Sequence, residues 1–278
     1  MIETPVTSGL EPPQLDLTVP KGIRSRSRTA VRATLGTLLL VTAVGLLTLA
    51  PGQLGPALLS LAHNLKLMFL QPHLGQDTLA QLLGALGLSI ALAAYTTIIG
   101  AVVAFACALL TARNLAPAWL ATTMRTLMAL IRAIPTILWV LVYAVVIGLG
   151  TEAAVVGLSF HSVAYLTKAY AEAIEAIPTA KLDALRTSGA RPLLIIRHAV
   201  WPSVRGSLLS WTFIRFEINF TNAVAVGAAA GTGGIGYYLF MASAFYFDFQ
   251  EVGAIVYLVL AFALVLEFVA VQLRRRTA

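Results

Sequence analysis

The stretch Leu79–Ala112, LAQLLGALGLSIALAAYTTIIGAVVAFACALLTA, contains no Asp, Glu, Lys or Arg. A helix that crosses a bilayer needs about 20 mostly apolar residues. The run therefore holds one span, near 84–111, with a lead-in that tilts or lies at the interface. The whole chain agrees with that reading. It has 278 residues, of which 59% are apolar and 11% charged, and its mean hydropathy is +0.86. A soluble domain carries about 25% charged residues. The composition excludes an ordinary water-soluble globule, and it excludes a disordered chain, which needs low hydrophobicity.

Five more apolar runs reach span length, near 33–50, 127–148, 152–170, 206–228 and 252–272. The expected fold is all-α: a polytopic membrane protein of six transmembrane helices. The expected organisation is an N-terminal tail, 1–32, followed by a single transmembrane domain, 33–278. The first apolar run follows a long basic tail without a small-residue cleavage site, so it reads as a retained anchor rather than a signal peptide.

The positions of the cations orient this arrangement. Seventeen of the nineteen Lys and Arg fall in the tail, in or beside 113–125, in 168–205, or at the C-terminal end. The opposite loops hold only Lys66, and Arg215 lies inside span five. By the positive-inside rule, both termini and the segments 113–125 and 171–205 face the cytoplasm. The net charge of +7 thus reads as membrane topology and not as a nucleic-acid footprint.

Chemistry-bearing motifs are few. GTGGIG at 231–236 has the spacing of a dinucleotide fingerprint, but it follows a span instead of a strand and reads as a tight glycine turn. No G-x-x-x-x-G-K-[ST] run is present, so ATP hydrolysis is not expected in this chain. The four histidines are scattered, and Cys107 stands alone. No catalytic residue, metal site or resident cofactor is expected.

Segment 171–205, AEAIEAIPTAKLDALRTSGARPLLIIRHAVWPSVR, sits between spans four and five. Pro178 and Thr179 open a short amphipathic helix that Gly189 and Pro192 end, and a second short helix then runs to Trp201-Pro202. Amphipathicity alone allows a helix lying on lipid. The spacing from Asp183-Ala184-Leu185 through Gly189 to Pro202 resembles the cytoplasmic loop of importer-type ABC permeases. That pattern runs E-A-A, three residues, Gly, nine residues, then Ile-x-Leu-Pro. Here Asp replaces Glu, Leu185 the second Ala, and Ala199 and Trp201 the Ile and Leu. The resemblance implies that this coupling helix docks on a separate ATPase subunit, with Asp183, Ala184, Leu185, Gly189 and Pro202 at the contact. It also implies ATP and Mg on that partner.

The strings TARN (111–114), RAIPTILW (132–139), SFHSVAYLTKAYAEAIEAI (159–177), RFEIN (215–219) and GTGGIG are similar to those of phosphonate, phosphite and hypophosphite importer permeases. Two positions depart from that group: Thr136 stands where Glu is common, and Thr221 where Arg is expected. The resemblance implies a permease subunit of the bacterial inner membrane that works by alternating access. It implies an extracellular binding protein and a second permease subunit, the same chain or a related one. Permeases for amino acids or sulfonates, and an integral membrane enzyme, are the alternatives.

Span five is unusual on its own terms. Arg215 lies about 15 Å past the cytoplasmic edge, where a charge costs about 2.5–3.5 kcal/mol to insert and marks a candidate functional site. At about 100° per residue, Arg215, Asn219 and Asn222 share one stripe, with Glu217 and Thr221 on the other side. The first stripe either lines an anion path or pairs Arg215 with an acid on another helix or subunit. His161, midway along span four, is either a packing residue or, by the resemblance, part of the same path.

Overall fold

The computed structural model describes residues 21–49 and 54–277, and among these it is helical without strands. Most of the expected tail, 1–20, and residues 50–53 lie outside the described residues. The chain divides into two compact units between Ala62 and His63. In the first, helix α1 (Lys21–Leu49) begins inside the expected tail and exposes Leu38, Leu39, Leu40 and Val41. Helix α2 (Leu54–Leu70) was not expected from the sequence: its 17 residues are short for a span.

The second unit is built on α3 (Leu79–Thr111), α6 (Thr151–Glu175) and α9 (Trp201–Ala230), which pack on one another. Helix α3 starts with a capping box in which Thr78 and Gln81 satisfy each other's backbone N–H groups. Between α3 and α6 lie α4 (Ala118–Ala133) and α5 (Thr136–Ile147), bent 87° from each other. Segment 127–148, read as one span, is therefore not one straight helix. Pro135 cannot donate to the helical ladder and holds Ile134 in extended backbone (φ −93°, ψ 127°), so the bend falls there.

After α6 come α7 (Thr179–Thr187) and α8 (Pro192–Ile195). The second short helix does not stop at Trp201-Pro202. A π-turn, Ile196–Val200, leads from α8 straight into α9. Beyond α9 the glycine turn is as expected, with Gly231 and Gly233 at positive φ (65° and 74°). A second unexpected helix follows, α10 (Ile235–Phe240), then a π-turn and α11 (Phe249–Thr277).

Two described helices, Leu79–Thr111 and Phe249–Gln272, are each long and apolar enough to cross a membrane, and the bent α4–α5 pair makes a third if counted as one span. Helices α6 and α9 have the length, but their apolar runs are interrupted by Glu152, Lys168 and Glu172, and by Arg205, Arg215 and Glu217.

Apolar clusters close both ends of the unit. Near α7, small residues Ala104, Ala108 and Ala171 let helices approach closely around Leu166, Ile174, Leu182 and Val204. At the other end, Leu82, Phe220, Ile235 and Ile255 pack together, with the Phe220 and Phe262 rings 4.7 Å apart. There the buried Glu251 carboxylate accepts hydrogen bonds from the Gly75 and Asp77 N–H groups at 3.2 and 2.9 Å. Burial and the nearby Glu251 push the Asp77 carboxyl above its usual range.

Candidate functional site

Between the two apolar clusters the helices bury polar side chains. Arg215 is 1% exposed and Asn219 is fully buried, one turn apart on the inner face of α9. Arg215 Nε donates to Ser162 Oγ at 3.0 Å, and Nη2 lies 3.1 Å from His161 Nδ1. Guanidinium has only donors, so this contact requires a neutral imidazole that carries its proton on Nε2. Thr136 Oγ1, the first residue after the α4–α5 bend, is 3.2 Å from the same nitrogen. The Arg215 guanidinium carbon also stands 5.1 Å from the centre of the Tyr165 ring, a cation–π distance.

Asn219 extends the network to α3. Its amide nitrogen donates to Thr97 Oγ1 at 2.8 Å and Ser162 Oγ at 2.9 Å, with Thr96 Oγ1 at 3.3 Å. The ion pairs Arg125–Glu175, Lys168–Glu172 and Arg186–Asp183 lie elsewhere in the chain. The groups that hold the guanidinium are a hydroxyl, an imidazole and a phenol ring. Neutral partners accept from Nε and Nη2 without cancelling the charge, which leaves a field that favours an anion.

The structure thus joins four of the residues singled out in the sequence, Arg215, Asn219, His161 and Thr136. Glu217 is half-buried on the same helix as Arg215. Thr221 is exposed and donates to the Glu217 carbonyl of its own helix, and Asn222 is half-buried one turn beyond Asn219. Ser162, Tyr165, Thr96 and Thr97 complete the site and were not predicted. The signal for the last two was present as paired threonines in an otherwise apolar run.

The coupling segment forms a second candidate site. Leu182 of α7 is fully buried among Ile174, Ile195 and Val200, and this turns Asp183 and Ala184 outward. Leu185 is half-buried, and Gly189 and Pro202 are exposed. The helix ends in a Schellman motif: Ala190 N–H bonds Leu185 O and Gly189 N–H bonds Arg186 O, both at 3.0 Å. Gly189 takes the φ of +75° that this motif requires.

Side chains then clamp α7 at both ends. Lys181 Nζ donates to Ser203 Oγ at 2.6 Å, next to Pro202. Arg186 bonds Asp183 at 3.0 Å and donates to the Asn114 carbonyl, while Asn114 donates to Ile174 O at 2.8 Å. Glu175 accepts from the Arg113 N–H at 2.6 Å and from the Arg125 guanidinium. Burial alone would raise the Glu175 pKa, but those two donors outweigh it and hold the carboxyl below its usual range.

Residues 104–278 match the family described as binding-protein-dependent transport system inner membrane component. Phosphite transport system permease protein PtxC of Stutzerimonas stutzeri is 34% identical over 195 residues, 70% of this chain and 69% of that protein. Phosphate-import permease protein PhnE of Mycolicibacterium smegmatis is 28% identical over 192 residues, 68% of this chain and 35% of that one. Among solved structures, the inward-facing MetNI methionine ABC transporter aligns with a TM-score of 0.66, at 20% identity, over 74% of this chain and all of that one. The last is a likeness of fold. With the family match, the permease relatives and the shared helical fold in hand, the chain belongs to the binding-protein-dependent inner membrane permeases, as a permease subunit of an ABC importer.

Proposed function

We propose that this permease imports a small phosphorus oxyanion, of the phosphite, hypophosphite or phosphonate class. The observation that carries the reading is Arg215, buried in α9 and held by neutral partners on α6. A site of this kind suits an anion better than a zwitterion or cation. The phosphite and phosphate permeases among the relatives point the same way. In this conformation the guanidinium is closed off, which suits a gate that opens only during transport.

On this reading the chain crosses the bacterial inner membrane six times, near 33–50, 84–111, 127–148, 152–170, 206–228 and 252–272, with 1–32 and both termini in the cytoplasm. The cation asymmetry supports that orientation. A second copy of the chain completes the path, and an extracellular binding protein delivers the anion. Helix α7 docks on an ATPase subunit through Asp183, Ala184 and Leu185, with the Gly189 turn behind them, and ATP and Mg act on that partner. The clamping of α7 to Asn114 and to Ser203 supports a lever that passes motion to α3 and α9.

The test is uptake of phosphite by cells that lack other phosphite importers. Arg215→Ala abolishes uptake while the chain still co-purifies with its ATPase. Wild-type uptake by Arg215→Ala removes this residue from the path. A binding screen of the cognate receptor against phosphate, phosphite, hypophosphite and alkylphosphonates identifies the anion.

A further inference from the structure

A cavity of about 210 Å³ lies between α4 and α6, apart from the Arg215 network. Its polar lining is Thr111, Arg125, Arg132, Thr167, Lys168 and Glu172. Of its three cations, Arg125 is paired with Glu175 and Lys168 with Glu172, the latter at 3.7 Å. Arg125 is anchored through Nη2 to Glu175 and the Thr111 carbonyl, but its Nε is buried without a hydrogen-bond partner. Thr167 Oγ1, on the facing helix, is likewise buried, beside the Cys107 thiol. Arg132 has one recorded bond, from Nε to the Met128 carbonyl of its own helix.

Buried polar atoms are normally satisfied, so an unpartnered Arg125 Nε beside a basic cavity needs a reason. Like charges gathered around a cavity also repel one another. An oxyanion answers the remaining positive charge by accepting from the guanidinium and ammonium groups that line the cavity. At about 30 Å³ per water in the liquid, the volume holds about seven waters. A tetrahedral oxyanion with part of its hydration therefore fits.

The cavity is also well placed for a handover. Arg132 lies in the last turn of α4, and the bend after it brings Thr136 to His161. On α6, Ser162 and Lys168 are separated by about 9 Å of helix rise. We propose that this cavity is a second anion site, which takes a phosphorus oxyanion group, either free or as a lipid headgroup phosphate, between Arg132, Lys168 and Arg125. For a free anion this rests on the importer reading and adds a station between Arg215 and the α7 end.

The full-length chain, purified in dodecyl maltoside, is titrated with inorganic phosphite by calorimetry at constant ionic strength. Native mass spectrometry of the same sample measures retained phospholipid. Phosphite binds saturably, the double variant Arg132→Gln, Lys168→Gln weakens it at least tenfold, and Arg215→Gln retains it. The charge-preserving Arg132→Lys, Lys168→Arg pair keeps binding within about threefold and shows that the loss is not misfolding. If co-purified anionic phospholipid fills the site instead, and the Gln pair releases it, the occupant is a headgroup. Equal phosphite affinity and equal lipid retention in wild type and the Gln pair overturn the proposal. Uptake that needs Arg215, together with that negative titration, removes only this cavity. Uptake indifferent to Arg215, together with a positive titration, removes only the Arg215 path.

Discussion

Helices α3 and α9 are close in length, 33 and 30 residues, and pack against each other, yet they solve opposite problems. Helix α3 is apolar throughout, and its few polar groups answer to its own backbone: Thr96 Oγ1 bonds Leu92 O at 2.8 Å and Thr97 Oγ1 bonds Ala93 O at 2.6 Å. Helix α9 buries a guanidinium and an amide that its own backbone cannot satisfy, so it borrows acceptors from α3 and α6. Their starts differ in the same way. Helix α3 carries its own capping box, whereas α9 has no side-chain cap and is fed by the coupling segment through a π-turn. A buried charge is thus tolerated where neighbouring helices were prepared for it, and helical length is no guide to where that is.

The sharpest way to break this comparison is to give α3 a charge without partners. Leu92 is 5% exposed and packs on Val140, Leu158 and Val226. Leu92→Arg should abolish the monodisperse peak on size-exclusion chromatography, because an unpaired buried charge adds to the insertion cost of about 3 kcal/mol. A well-folded Leu92→Arg protein would show that the Arg215 surroundings are not special.

Removing what α9 borrows has a smaller effect. Asn219→Leu leaves Ser162, Thr96 and Thr97 to fall back on carbonyls of their own helices. The expected loss is about 1–3 kcal/mol, read as a lower thermal midpoint in detergent, with uptake impaired. An unchanged midpoint would mean that the bridge between α9 and α3 is decorative.

The entry to α9 comes next. A Cβ on Gly189 meets nothing within 4 Å, so Gly189→Val adds only backbone strain at φ +75°, about 1–2 kcal/mol. The turn opens, and co-purification of the ATPase or coupling of ATP hydrolysis to uptake is lost, while Gly189→Asn, which tolerates this backbone, keeps both. Coupled hydrolysis intact in Gly189→Val would break the docking assignment.

The smallest effect sits at the far end of α3, where Glu175 holds the Arg113 N–H and Arg125. Its folded pKa is held down, so its contribution is full above the usual carboxylate range and lost as pH falls through that range and below it. Glu175→Gln should cost about 1 kcal/mol near neutral pH, and its deficit against wild type should close towards pH 3 in thermal melts. A deficit independent of pH would show that charge plays no part.

Much of this was legible along the chain. The run 79–112 marked α3, and Pro178, Gly189 and Pro192 marked the limits of α7 and the start of α8, because a proline or a left-handed glycine acts on its immediate neighbours. The stripe of Arg215 and Asn219 on one face of α9 followed from helical periodicity alone. Helices α2 and α10 were missed because they are too short to register as spans. Segment 127–148 reads as one span in the sequence, and its 87° bend at Pro135 was not legible there.

Apolar length, charge asymmetry and turn positions were determined by the sequence by itself, since hydropathy and local backbone preference accumulate residue by residue. Only the tertiary structure decided that Arg215 would meet Ser162, His161 and Tyr165, and that Arg125, Arg132 and Lys168 would share a cavity. The physical reason is that the energy of a buried charge depends on the groups within a few ångströms of it. For Arg215 those groups come from another helix, 50 or more residues away.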